Sequence, residues 1–341
     1  MNTIFVRRVM NYWNKENIDK SMKQIFNTVR EDIGIVIGVV GDTILDEYLF
    51  GQMRESNVDI FKQHKQELYP GGAANVAMNV TGLGGECAFL SITGCCDKSK
   101  AIHDIMNAKG IDTRGIVSDK SIQTCCITRF ISDEKLILRY DNKYENNNVR
   151  KTQERLYHKL RKKAKDFRVL VISDYKKGCI TNDMFNDIKK MCISNNIRLL
   201  IDCKSRFDLQ DVYLLKINRQ EFCSILDKEK CTDYEIEKES LRFKRANKIE
   251  FLIITMDKEG LLFIDKENFS RRIPSFCNEI VDSCGAGDTM IAALAICVNH
   301  NIDIWESVLF ANLAAGVSSR KKGTSTISIK DMETYWDKLY E

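Results

Sequence analysis

Proline is nearly missing from this chain: only Pro70 and Pro274 occur in 341 residues. With no low-complexity segment and no internal repeat, that scarcity excludes a Pro-rich linker and argues for one continuous domain. Histidine is scarce as well, and His64, His103, His158 and His300 are scattered at no metal-ligand spacing. Cysteines number 13, yet no two stand in a CxxC spacing. The pairs Cys95–Cys96 and Cys125–Cys126 fall in apolar, strand-like runs. Neighbours on a strand point to opposite faces, which suits neither a disulfide nor a shared metal. Free thiols in a reducing cytoplasm are the expectation.

Long apolar runs are also lacking, and none approaches the roughly 18 residues of a membrane span. The N-terminus, with Arg7, Arg8 and then polar residues through Glu31, has neither the apolar core nor the small-residue cleavage site of a signal peptide. No charge sign dominates, since 52 basic and 48 acidic residues leave a formal net charge of +4. That balance calls for neither nucleic acid nor an anionic membrane as partner. The most basic run, KLRKKAK at Lys159–Lys165, reads as a solvated helix C-terminus. Missing too are the phosphate loop GxxxxGK[ST], the GxSxG elbow and the protein-kinase motifs. Gly82–Leu83–Gly84–Gly85 does not complete GxGxxG. A nucleotide-dependent phosphotransferase built on this chain needs another phosphate cradle.

What is present is the composition of a soluble globular protein, 44% hydrophobic and 29% charged, long enough for one large core or two domains of ordinary size. Residues 1–32 are polar with weak helical periodicity and read as an extension outside a main domain at 33–341. Continuous apolar runs at Gly34–Val40, Cys87–Ile92, Val169–Ser173, Leu199–Asp202, Val212–Ile217 and Phe251–Thr255 suit strands buried on both faces. Helical patterns lie between them at Ala73–Leu83, Lys98–Ala108, Asn182–Ser194 and Tyr234–Ala246, and three helices follow Ala286. The alternation predicts a mainly parallel α/β sheet with helices on both faces. Half-polar alternating strands in about 47–69 and 113–141 predict a small β lid over the mouth of the site, able to pair with a second copy.

The most telling stretch is Asp282–Ser283–Cys284–Gly285–Ala286–Gly287–Asp288, running into the apolar segment Met290–Val298. Two glycines and an alanine let the backbone turn with its N–H groups facing outward, and the helix that begins there adds unpartnered N–H groups and a positive dipole end. Asp288 inside that anion site suits a general base beside an oxyanion hole; the plainer reading is a capped helix start. Gly41–Asp42 and Asp46 follow the first strand, where carboxylates suit sugar hydroxyls, or Asp42 caps the next turn. Pro70–Gly71–Gly72–Ala73–Ala74–Asn75 permits close backbone approach to a ligand or simply enters a helix. In Asn218–Arg219–Gln220–Glu221, Glu221 suits a magnesium ion held through water. Lys204, Arg139 and Lys177 are cations near strand ends, suited to phosphate or to solvent.

Taken in order, these residues resemble the ribokinase family of carbohydrate kinases, also called the PfkB family. Its Gly-Gly motif stands here as Gly71–Gly72 with Asn75, and its nucleotide-side motif as Asp282–Asp288. The resemblance covers roughly residues 34–330. Within the family the likeness is greatest to the kinase domain of bacterial heptose-7-phosphate kinases, through GDTILDEYLFG (41–51), PGGAANVAMN (70–79), SDYKKG (173–178), IDCKS (201–205), FANLAAGV (310–317) and GTSTIS (323–328). It implies that Asp288 deprotonates the acceptor hydroxyl and that the N–H groups of Gly285, Ala286 and Gly287 hold the phosphoryl group. It places Asn218 and Glu221 by the triphosphate and Mg²⁺, and Thr255, Gly260 and Asn312 near the nucleotide. Asp42, Gly71, Gly72 and Asn75 would hold the sugar, and a monovalent cation would sit near the anion hole.

The implied activity is ATP-dependent conversion of heptose 7-phosphate to heptose 1,7-bisphosphate. Its alternatives are a kinase of ribose, fructose or a nucleoside, and a non-catalytic binding protein derived from a kinase. Three departures from the heptose kinases stand out. The segment after Gly51, QMRESNVDIFKQHK, lacks their prolines; Ile127 stands where a lysine is common; and Cys284 replaces a usual threonine. Heptose kinases are often fused to a nucleotidyltransferase, for which this chain leaves no room, so the kinase step alone is expected.

Overall fold

Strand β1 (Val36–Gly41) reads VIGVVG and is buried along almost its whole length. A strand can be apolar on both faces only where helices cover both, and the chain supplies them. The computed structural model describes residues 15–31, 33–54, 59–142, 149–277, 279–321 and 323–340. Helix α1 (Lys15–Val29) precedes β1, which is followed by the long hairpin β2 (Thr43–Arg54) and β3 (Ile60–Gly72), then α2 (Ala73–Gly82). Next come β4 (Cys87–Leu90), β5 (Ile92–Thr93), α3 (Asp97–Ala108), β6 (Val117–Ser118), β7 (Cys125–Ser132), β8 (Lys135–Asp141) and α4 (Arg150–Lys163). The second half runs β9 (Phe167–Asp174), α5 (Asn182–Ser194), β10 (Arg198–Cys203), β11 (Leu214–Asn218), α6 (Arg219–Ile225), α7 (Asp233–Ala246) and β12 (Phe251–Thr255). It ends with β13 (Leu261–Ile264), β14 (Ser270–Ile273), α8 (Ala286–Asn299), α9 (Ile304–Ser318) and α10 (Ile329–Tyr340).

The central sheet has the order β14-β13-β12-β11-β10-β9-β1-β4, parallel from β4 to β12 and closed by two antiparallel strands. Alternate residues feed two cores. Val39, Val171 and Leu200 face α2, α8 and α9, while Val40, Ile172 and Ile201 face α4 and α5. Helix α8 is buried from Asp288 to Asn299, as an all-round apolar helix must be. No helix among the described residues is long and apolar enough to cross a membrane.

Three expectations need correction. Residues 15–29 do not lie outside the domain: Met22, Ile25, Phe26 and Val29 form an i, i+3, i+4, i+7 stripe sunk into the core, with Phe26 edge-on to Phe310 of α9 at 5.8 Å. Residues 1–14 of the predicted extension lie outside the described residues. The lid is a four-stranded sheet, β3-β2-β7-β8, that begins at Thr43; Thr113–Gly115 is instead a 3₁₀ turn and β6 pairs with β5. The Cys95–Cys96 pair sits in the turn before α3, where Cys96 caps the helix, because Cys87–Ile92 breaks into two short strands. All 13 cysteines are free thiols.

Candidate active site

The turn before α8 is shaped by what it touches. Gly285 has φ 81°, a left-handed conformation that glycine adopts without strain, and a Cβ there would meet Asn75 Nδ2 at 2.6 Å. A Cβ on Gly287 would meet Lys216 Nζ at 2.6 Å. The Ala286 N–H donates to Ser283 O at 3.3 Å, so of the three predicted hole donors this one is engaged within the turn. Asp282 braces the loop by accepting from Cys284 N and, on its other oxygen, from Gly323 N. Burial and Asp282 push the half-buried Cys284 thiol up to about 11, which keeps it protonated.

Asp288 follows in the first turn of α8 and is 2% exposed. Its Oδ2 accepts from Asn75 Nδ2 at 2.9 Å and its Oδ1 from the Tyr175 hydroxyl at 2.7 Å. Burial pushes its pKa up to about 6, while these two donors pull it down; Asp202 adds to the rise and Lys216 opposes it. The result is a carboxylate that ionises just below neutral pH, the range a general base requires.

Tyr175 reaches Asp288 because two carboxylates shape the loops around it. Asp42 Oδ2 accepts from the backbone N–H groups of Tyr175 and Lys177, at 2.7 and 2.9 Å, and its Oδ1 from that of Cys179 at 2.9 Å. These bonds engage both oxygens of Asp42, as the turn-capping reading expects, and a carboxylate so held still has a lone pair for a hydroxyl. Burial first, then Asp174, pushes Asp42 up to about 6. Asp174 in turn accepts from Lys204 N and Ser205 N, which sets the Lys204 ammonium 4.0 Å from the Tyr175 ring centroid. Asn75, expected at the sugar, is committed to Asp288 and to Asn79.

On the nucleotide side, Asn218, Thr255, Gly260, Ala286, Gly287 and Asn312 line one cleft of about 660 Å³. It opens where the parallel strands end, the edge at which such sheets bind ligands. Asn218 and Glu221 form a reciprocal capping box at the start of α6, both bonds at 2.8 Å. Burial and the neighbouring Asp202 raise the Glu221 carboxyl, and Lys216 draws it back. Lys216 also lines the cleft and makes a buried ion pair with Asp202 at 2.6 Å. Burial alone would discharge that ammonium, but Asp202 and Glu221 hold it charged beneath Gly287. Lys204 and Glu221 line an adjoining cavity that shares Asn218. Among the described residues no three His, Cys, Asp or Glu side chains converge to cage a metal. A larger cavity, about 1220 Å³ beside Arg198 and Trp305, lies at the other edge of the sheet and touches none of the predicted residues.

The lid supplies the opposite wall. Ile44, Cys125 and Ile127 pack on Tyr175, so the face of β2 and β7 that carries them looks onto the site. Asp46 and Tyr48 of β2 and Arg129 of β7 lie on that face by the two-residue period. Arg129 pairs with Asp46 at 2.5 Å and stacks on Tyr48. Burial raises the Asp46 carboxyl, and Arg129 opposes that rise. Arg139 stands directly across from Arg129 on β8, held by Asp141 at 2.7 Å. Gly71 lies against Asp46, where any side chain would collide with its carboxylate, and Gly72 is the left-handed residue that turns β3 into α2. Tyr175, Lys216, Asp202 and Arg129 were missed from sequence; the one available signal is that Tyr175 and Asp202 fall inside strings shared with the heptose kinases.

Comparison with known proteins agrees with this architecture. Residues 35–331 match the model of the pfkB family carbohydrate kinases. The bifunctional protein HldE of Sulfurimonas denitrificans is 28% identical over 309 residues, 89% of this chain and 64% of that protein. HldE of Hydrogenovibrio crunogenus is 31% identical over 305 residues, 86% of this chain and 61% of that protein. The chain therefore spans under two thirds of the length of these relatives. Phosphofructokinase-2 of Escherichia coli, in complex with potassium, superposes with a TM-score of 0.74 at 17% identity, covering 91% of this chain and all of that one. Ribokinase of Thermotoga maritima gives 0.71 at 20% identity, covering 89% and 99%. The chain belongs to the pfkB family of carbohydrate kinases.

Proposed function

We propose that the enzyme phosphorylates a sugar that already carries a phosphate, with heptose 7-phosphate going to heptose 1,7-bisphosphate as the leading reaction. Asp288 takes the proton of the acceptor hydroxyl; the oxygen bonds to the γ-phosphorus of ATP as the bond to the β-phosphate oxygen breaks, and ADP leaves. The turn at Gly285–Gly287 and the Lys216 ammonium steady the charge in transit, so positioning and electrostatics carry the rate.

The observation that carries the choice of substrate is the pair Arg129 and Arg139, facing each other across β7 and β8 on the site-facing side of the lid. Two guanidiniums suit a phosphate dianion, whereas an unphosphorylated sugar needs neither. Lys177, on the loop beneath, adds a third cation on this side, and Asp46 turns to a sugar hydroxyl when Arg129 turns to phosphate. The HldE relatives support a heptose phosphate as that substrate. Fructose 6-phosphate is the nearest rival, since a phosphofructokinase-2 of the same fold binds it. Magnesium would ride on the nucleotide phosphates with a water-mediated contact to Glu221, which stands in the first turn of α6 beside the cleft. A monovalent cation fits beside the anion turn, where the buried Thr324 hydroxyl has no hydrogen-bond partner among the described residues.

ADP release across a panel of sugars and sugar phosphates tests the reading. Heptose 7-phosphate should give the highest kcat/KM, and Arg129→Gln should raise its KM about tenfold or more while leaving the KM for ATP unchanged. Activity confined to unphosphorylated sugars would sink it.

A further inference from the structure

Resting on the assignment of Asp288 as base, we propose that Tyr175 is a positioning residue that aims the Asp288 carboxylate and keeps it ionised. The two oxygens of Asp288 are held by two different donors, Tyr175 on Oδ1 and Asn75 on Oδ2. Each oxygen retains lone pairs, so the carboxylate can accept a proton without releasing either bond. Asn75 sits on α2, and Tyr175 on the loop after β9, so the base is gripped from two separate elements.

Tyr175 is itself unusually well placed for this task. Asp42 fixes its backbone N–H, the Lys204 ammonium lies over its ring at 4.0 Å, and Ile44, Cys125 and Ile127 of the lid pack against it. The ring thus connects the lid to the base: a sugar that seats the lid also seats the phenol. A nearby cation polarises the O–H and strengthens its donation to the carboxylate. The net proton still travels from the acceptor hydroxyl to Asp288, and Tyr175 keeps its own, since burial and Asp288 hold the phenol far above its ordinary pKa.

The charged and titratable groups that bear on Asp288 are Lys216 of β11, Asp202 of β10 and Tyr175 itself, with Lys204 and Glu221 acting on the phenol. The two Tyr175 variants leave the other groups as they are, and Asp288→Asn serves as the control for the base. The pH dependence of kcat/KM is measured for the full chain, for Tyr175→Phe, for the protein carrying a fluorotyrosine at 175, and for Asp288→Asn. A hydrogen bond to a charged group corresponds to about one pH unit. Tyr175→Phe should therefore move the acid limb up by about one unit and lower kcat/KM at pH 6 about fivefold, with ADP affinity unchanged. The more acidic fluorotyrosine should move the limb down, and Asp288→Asn should lose about 10²–10⁴-fold at every pH. Limbs that coincide in the wild type and both Tyr175 variants, with Asp288→Asn inactive, would overturn the role of Tyr175 and leave the base in place. Full turnover in Asp288→Asn would overturn both.

Discussion

A base buried at the end of a cleft is a stability cost as well as a catalytic asset. The folded pKa of Asp288 is about 6, against an ordinary value of 3.8. Between those values the native state holds a proton that the unfolded chain has released, so stability falls as pH rises through the window and stays lowered above it. Asp288→Asn removes that penalty. Thermal unfolding should show a gain of up to about 3 kcal/mol at pH 8, shrinking to nothing below pH 4. A loss of stability that is uniform across pH would contradict this. Gly287→Ala tests the neighbouring contact: its methyl would press on Lys216 Nζ, separate that ammonium from the anion turn and cut kcat while ADP still binds. What sequence revealed at this scale was the backbone need, because glycines and an aspartate at a helix start carry their reason locally. Asp42 was legible as a carboxylate at the strand end but its partners were not, and Tyr175 and Lys216 did not declare themselves. Their partners lie more than a hundred residues away, or across a strand, and no local pattern records such a meeting.

Among elements, the strands and helices of the sheet were legible because each is apolar with its own period. The short strands β13 and β14 were not, since four residues each fall below what periodicity resolves. Helix α1 was misplaced for a different reason: its apolar stripe is only five residues, and its worth appears only against the helices it packs on. Trp336 Nε1 donates to Asp19, and Arg30 pairs with Glu333, so the first and last of the described helices are fastened together. Phe26 is 2% exposed, and emptying its site should be costly. Phe26→Ala is expected to lower stability by about 3 kcal/mol or more in urea unfolding, with one cooperative transition retained. An unchanged midpoint would mean that α1 is an independent appendage.

At the scale of the whole molecule the lid poses a problem that one chain does not solve. Strand β8 is an edge strand among the described residues, and all seven of its residues are exposed. Its apolar members are large: Leu136, Leu138 and Tyr140 are each 56% exposed, with Ile137 between them. An unpaired edge carrying such side chains invites association unless something covers it. A second copy is the expected occupant, because a two-fold axis would set the same apolar strand against itself. The arginines of the site-facing side would then be steadied from behind, since Arg139 belongs to the same strand. Sedimentation equilibrium of the full chain should give twice the chain mass, and Leu136→Lys with Leu138→Lys should return it to one. That double variant should also raise the KM for the sugar phosphate, through Arg139, while leaving the KM for ATP unchanged. A chain that stays monomeric at high concentration, with its sugar KM untouched by the lysines, would separate the lid from assembly and leave β8 without a partner.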